Sequence, residues 1–252
     1  MGECYMLEIA LMAVTVLLGL VSVGSLSVWA WLMVKYHQYN RVHNSARMSG
    51  GDVARRILDE HGLQHIAVKA KGSFMFGNSY SHYFKKVRLR RYTIDQMTVT
   101  SLGIGAQKAA LAILAHEGDP DMRRRIRLVP LITFGPTSLI PLLLLGVVLD
   151  ISLGNGSGYI FLLSALLGLL FYGYAIILTI ATLRTEKKAQ ERAKTILLTS
   201  MLATDEELQM LDELFRLYNI QYVNDIILSS LELIYEALDF AVDLKDITSL
   251  IK

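Results

Sequence analysis

Charge is absent from three long stretches of this chain, residues 9–34, 128–149 and 151–183. Each, wound as a helix, is long enough to cross about 30 Å of hydrocarbon. The pattern predicts an α-helical integral membrane protein with three transmembrane helices. All 25 Lys and Arg lie between Lys35 and Arg127 or from Arg184 onward, and none lies before the first run or in the 150–158 connection. By the positive-inside rule the N-terminus and the Gly-rich 154–158 turn face outward, and both polar regions face inward. Such a topology suits a bacterial cytoplasmic membrane or an organellar inner membrane.

The first run has no basic flank before it; Glu3 and Glu8 stand there instead, so it reads as an anchor and not a cleavable signal. A single cysteine, Cys4, excludes an internal disulfide framework. The formal charge of +2 conceals an asymmetry. Residues 35–127 carry 17 basic and 7 acidic side chains, and residues 184–252 carry 8 basic and 13 acidic, so the two inside regions attract each other.

Between the first two runs, residues 36–127 read as a small α+β unit. Ser49 or Asp52 caps a helix over 53–61, with Gly62 placed to end it, and a short strand follows through Ile66, Ala67 and Val68. Tyr83, Val87 and Leu89 alternate with Lys86, Arg88 and Arg90, which is strand periodicity with a basic outer face. This basic, aromatic cluster lies on the positive side of a membrane, where anionic headgroups account for it without nucleic acid. A helix of small apolar residues over 106–115, polar only at Gln107 and Lys108, then delivers His116 near its end.

His116-Glu117-Gly118-Asp119-Pro120 opens like the zinc helix His-Glu-x-x-His, in which two histidines share a face and the glutamate serves as general base. The second histidine is missing, since Pro120 stands in its place. The same five residues also spell a helix stop, because Gly118 favours a left-handed cap and a residue before proline is pushed from the α region.

Other segments bring a resemblance. Tyr39-Asn40-Arg41-Val42-His43-Asn44-Ser45 followed by Ser49-Gly50-Gly51-Asp52-Val53-Ala54-Arg55-Arg56-Ile57-Leu58-Asp59 is similar to the opening of the neutral zinc metallopeptidases of prokaryotic membranes. In that family a strand carrying Asp-His-Tyr-Asp leads to a helix with His-Glu-x-Gly-His, and Leu-Val-Pro begins the next transmembrane helix. This chain offers Ser81-His82-Tyr83-Phe84, then Ala115-His116-Glu117-Gly118, then Leu128-Val129-Pro130. The order holds over residues 36–200. The family's third ligand is a glutamate just after a transmembrane helix, and Glu186 stands at that place.

The resemblance therefore implies a degenerate member with a zincin-like domain. His116 and Glu186 are the metal remnants, His82 and Asp119 are candidate replacements, and Glu117 is the base if the site works. Against it, the interval from His116 to Leu128 is shorter than the family's, Lys187 and Lys188 flank Glu186, and Ser81 and Phe84 replace the strand's acids. The expected function is a non-catalytic scaffold or accessory subunit of a membrane assembly, with no cofactor. The alternative is an active membrane-bound zinc metallopeptidase with a rearranged site. The expected partners are the bilayer and other membrane-protein subunits, and not nucleic acid.

Four segments are expected: an N-terminal transmembrane helix (1–35), the zincin-like domain (36–127), a transmembrane hairpin (128–183) and a C-terminal helical region (184–252). In the last, Thr204-Asp205-Glu206-Glu207 is a capping box for a helix through Arg216 or Leu217, with a turn near Asn219. Beyond it, Asp225, Glu232, Glu236, Asp239 and Asp243 fall on one helical face opposite Ile227, Leu231, Ile234, Leu238 and Val242, an amphipathic helix with its carboxylates in water.

Overall fold

A computed structural model describes residues 2–71, 77–128, 139–153 and 158–250, with side chains at 5–71, 77–128, 141–153 and 158–242. It is mostly helical: α1 (Gly2–Tyr39), α2 (Gly50–Glu60), α3 (Arg91–Asp95), α4 (Val99–Glu117), α5 (Pro120–Leu128), α6 (Leu139–Leu153), α7 (Tyr159–Thr199) and α8 (Asp205–Leu250). Strands β1 (Ala67–Lys71), β2 (Ser79–Ser81) and β3 (Lys86–Arg90) form one sheet in the order β1-β3-β2. The chain divides into two compact units, one of residues 28–127 and 181–221, the other of 1–27, 128–180 and 222–252.

The first of these units is organised around α4. Its small residues allow neighbours to approach on every side, and the helix is buried from Val99 through Leu114. Gly105 admits the backbone of α2, since a Cβ there would overlap the carbonyl oxygen of Gly50. Helix α2 buries Val53, Ala54, Ile57 and Leu58 on one face; of the two expected caps Ser49 is the N-cap, and Asp52 completes a capping box by exchanging hydrogen bonds with it. Strand β1 pairs parallel with β3, and β2 pairs antiparallel with it. Val87 and Leu89 of β3 are buried, as alternation requires. Ala189, Ala193 and Leu197 of α7 and Leu211 and Phe215 of α8 join the same core. The second capping box also forms: Glu207 accepts from the Thr204 amide and Thr204 Oγ1 from the Glu207 amide, while Glu207 further accepts from Ser45.

In the other unit, Asp150 accepts from the Gly158 and Ile160 amides, at 2.6 and 3.0 Å, and so caps α7. Among the described residues, two helices are long and apolar enough to cross a membrane, α1 and α7. Of the expected 128–149 span, the described part is α6, whose 15 residues reach about 22 Å. The rest of that run and most of the 154–158 turn lie outside the described residues.

The C-terminal region departs from expectation in two ways. There is no turn at Asn219; α8 continues without a break, because no Gly or Pro interrupts it and each polar residue there is a tolerable helix former. The carboxylate face is also not simply solvated. Tyr172 of α7 donates to Glu232 at 2.6 Å, Leu233 meets Gly173, and the rings of Phe161 and Phe240 lie 6.1 Å apart. Meanwhile Ile227 and Ile234, expected to be inside, are 43% and 47% exposed. The helix thus turns one acid, Glu232, toward its neighbour and leaves Ile227 and Ile234 outward, while Glu236 of the same acidic face stays exposed. The side chain of Asp243 lies outside the described residues.

Candidate functional site

Helix α4 begins at Thr98, whose hydroxyl accepts from the Ser101 amide. Two turns later it presents Gln107 and Lys108, which are 6% and 7% exposed within an otherwise apolar helix. A buried ammonium needs a counter-charge and a buried amide needs hydrogen-bond partners. Both find Glu186 of α7, itself 2% exposed. Its Oε2 accepts from Lys108 Nζ at 2.8 Å and from Gln107 Nε2 at 2.8 Å. Its Oε1 accepts from Arg125 of α5 at 3.0 Å, and the same Arg125 nitrogen reaches Thr185 Oγ1 at 3.0 Å.

Burial alone would push the Glu186 carboxyl up, but the charges and hydrogen bonds of Lys108 and Arg125 outweigh it and hold the group below its ordinary range. Two cations and an amide therefore surround one carboxylate. Both of its oxygens accept, and the cluster keeps a surplus positive charge.

The His116 corner is built differently. Helix α4 stops where Gly118 takes φ +72°, a left-handed cap open to glycine at little cost. Asp119 then accepts from the amides of Asp121 and Met122 and starts α5, with Pro120 as its first residue. Lys188 of α7 bridges Asp119 at 2.8 Å and Asp121 at 2.6 Å. Burial raises the Asp119 carboxyl, but Lys188 and the two amides prevail and its net shift is downward. Arg192 pairs with Glu117 at 2.9 Å, with both side chains more than two-fifths exposed. His116 is itself exposed.

Zinc needs deprotonated His, Cys or carboxylate donors, three of them in a hydrolytic site. Around Glu186 the neighbours are an ammonium, a guanidinium and an amide nitrogen, none of which donates a lone pair to a metal. At the corner, Glu117, Asp119 and Asp121 are each engaged by a base. His82 sits in the β2–β3 turn, edge-on to Tyr80 and Tyr83. Among the described residues no three His, Cys, Asp or Glu gather as a metal-binding group. The residues present do not fit zinc.

Sequence reasoning singled out Glu186 but not its three donors. Gln107 and Lys108 were legible as the polar exceptions in an apolar helix; Arg125, one of four basic residues in α5, had no distinguishing mark.

Residues 11–240 match the family described as "Putative neutral zinc metallopeptidase". The chain belongs to this family. One relative, described as "Putative membrane protease YugP" of Bacillus subtilis (strain 168), is 26% identical over 212 residues. The matched region covers 83% of this chain and 89% of that relative. No solved structure matches the chain.

Proposed function

We propose that the chain is a non-catalytic member of the neutral zinc metallopeptidase family, acting as a scaffold or accessory subunit of a membrane assembly. The observation that carries this reading is Lys108 and Arg125 closing on Glu186. In the family's arrangement the glutamate after the transmembrane helix shares its metal with His-Glu-x-Gly-His. The α4 residues that meet Glu186 are Gln107 and Lys108, so the motif's register falls on Gln107-Lys108-Ala109-Ala110-Leu111. Glutamine replaces the first histidine, lysine the base and leucine the second histidine. His116 is nine residues further on, about 13.5 Å along the helix. This register also accounts for the short interval between His116 and Leu128. Lysine at the base position supplies internally the positive charge that zinc would bring, so the fold keeps its centre without the metal.

On this reading α1, the uncharged run 128–149 and the 159–183 part of α7 span the bilayer, the N-terminus faces out and the charged unit faces in. The partners are the bilayer and other membrane-protein subunits. The test is to rebuild the motif. Gln107→His, Lys108→Glu and Leu111→His together, in the full chain purified in detergent, are expected to gain one zinc per chain, with Glu186→Ala abolishing the gain. Failure of the folded triple variant to take zinc would contradict the register. The active-protease reading requires His116, Glu117 and Glu186 to converge, and it would be favoured by zinc in the unaltered protein lost on His116→Ala.

A further inference from the structure

Helix α5 is held against α7 immediately beyond the uncharged run. That run ends at Leu183, and Arg125 binds Thr185 and Glu186 in the following turn. Tyr83 donates from its hydroxyl to the carbonyl of the next residue, Ile126, at 3.1 Å, which ties the β2–β3 turn to the same end of α5. Three separate segments of the same unit, around residues 83–84, 124–127 and 184–187, are thereby gathered.

What they expose there is of one kind. Arg124, Arg127, Arg184 and Lys187 are exposed cations, and none forms an ion pair among the described residues. The acids nearby cannot compensate them: Glu186 is taken by Lys108 and Arg125, Glu117 by Arg192, and Asp119 and Asp121 by Lys188. Beside the cations stand two aromatics, Tyr83 at 59% and Phe84 at 63% exposed. Phe84 is backed by the Arg88 guanidinium 5.4 Å from its ring. Exposed aromatics next to unpaired arginines suit the headgroup layer, where rings sit at the acyl boundary and guanidinium groups pair with phosphate. The two uncharged runs that adjoin this face, 128–149 and 151–183, end at its own residues Arg127 and Arg184.

We infer that this face is a binding surface for anionic phospholipid headgroups of the bilayer in which the chain is anchored, with Arg124, Arg127, Arg184 and Lys187 on the phosphates and Tyr83 and Phe84 at the acyl boundary. The inference rests on the membrane reading above and is independent of whether zinc is bound. It also moves the lipid contact from the basic face of β3 to the β2–β3 turn and α5.

The test uses the full chain in phosphatidylcholine nanodiscs with and without phosphatidylglycerol. Cys4→Ser removes the sole thiol, and Phe84→Cys carries a nitroxide whose collisions with a water-soluble nickel reagent report depth. The expected result is several-fold protection in the anionic bilayer only, lost in Arg124→Gln/Arg127→Gln. These two exposed side chains lie outside the ion pairs, so the fold survives the change. As a readout that leaves residue 84 intact, native mass spectrometry should show phosphatidylglycerol retained by the unaltered chain and depleted in the double variant. Equal nickel access in both bilayers, or retention unchanged by the double variant, overturns the inference. Flotation with vesicles at high salt scores the spanning reading separately.

Discussion

The middle and the end of α4 make opposite use of charge. In the middle, Gln107 and Lys108 are buried and converge on Glu186, which Arg125 also binds. At the end, His116 and Glu117 are exposed, and Glu117 meets Arg192 in a half-solvated pair. The His-Glu pair that draws the eye in the sequence lies where water screens its interactions. The buried polar group of the helix lies two and a half turns earlier, in residues that no metal motif would flag. Charge in a low-dielectric core is coupled strongly to its neighbours, whereas charge at a helix tip is not.

The sharpest break of that contrast is Lys108→Met. It leaves Glu186 buried with one cation fewer, and removing one partner of a buried pair costs about 3–5 kcal/mol. Denaturant unfolding in detergent should show the loss, and adding Glu186→Leu should recover a good part of it. Next in size is Gly105→Ala, one residue pair before Gln107, where a methyl group meets the Gly50 backbone; overpacking of this kind costs about 1–3 kcal/mol.

A third prediction concerns acid. The Glu186 carboxyl is depressed in the folded protein, so its stabilisation is complete above the ordinary glutamate range and is lost as pH falls through the folded value. The melting temperature should therefore drop on the acid side, and Glu186→Gln should flatten that limb. Smallest of all, His116→Ala should change stability by no more than about 0.5 kcal/mol, as exposed sites do. A large effect at His116, or none at Lys108, would reverse the contrast between the two ends of the helix.

Much of this architecture is legible in the residues themselves. Ser49 with Asp52, Thr204 with Glu207, and Gly118 before Asp119-Pro120 are local signals, each satisfied by neighbours within a few positions, and the structure carries all three. The alternation of Val87 and Leu89 in β3 is equally local. What escaped the sequence depended on partners far along the chain. Lys108 is 78 residues from Glu186, and nothing near either one announces the other. The carboxylates of α8 read as a water-facing stripe because helical periodicity separates two faces without saying which is outside. The hydroxyl of Tyr172, 60 residues away, settles the matter for Glu232. The break expected at Asn219 rested on a single turn-favouring residue, and its side chain instead donates to Gln190 at 2.8 Å from within a continuous helix.

On the proposed reading, Lys108 and Arg125 stand where the family has a metal. That placement is tested most directly by metal content: mass spectrometry of the full chain purified in detergent, beside His116→Ala and Glu186→Ala. The account predicts no stoichiometric zinc in any of the three. One zinc per chain in the unaltered protein, lost in both variants, would contradict it.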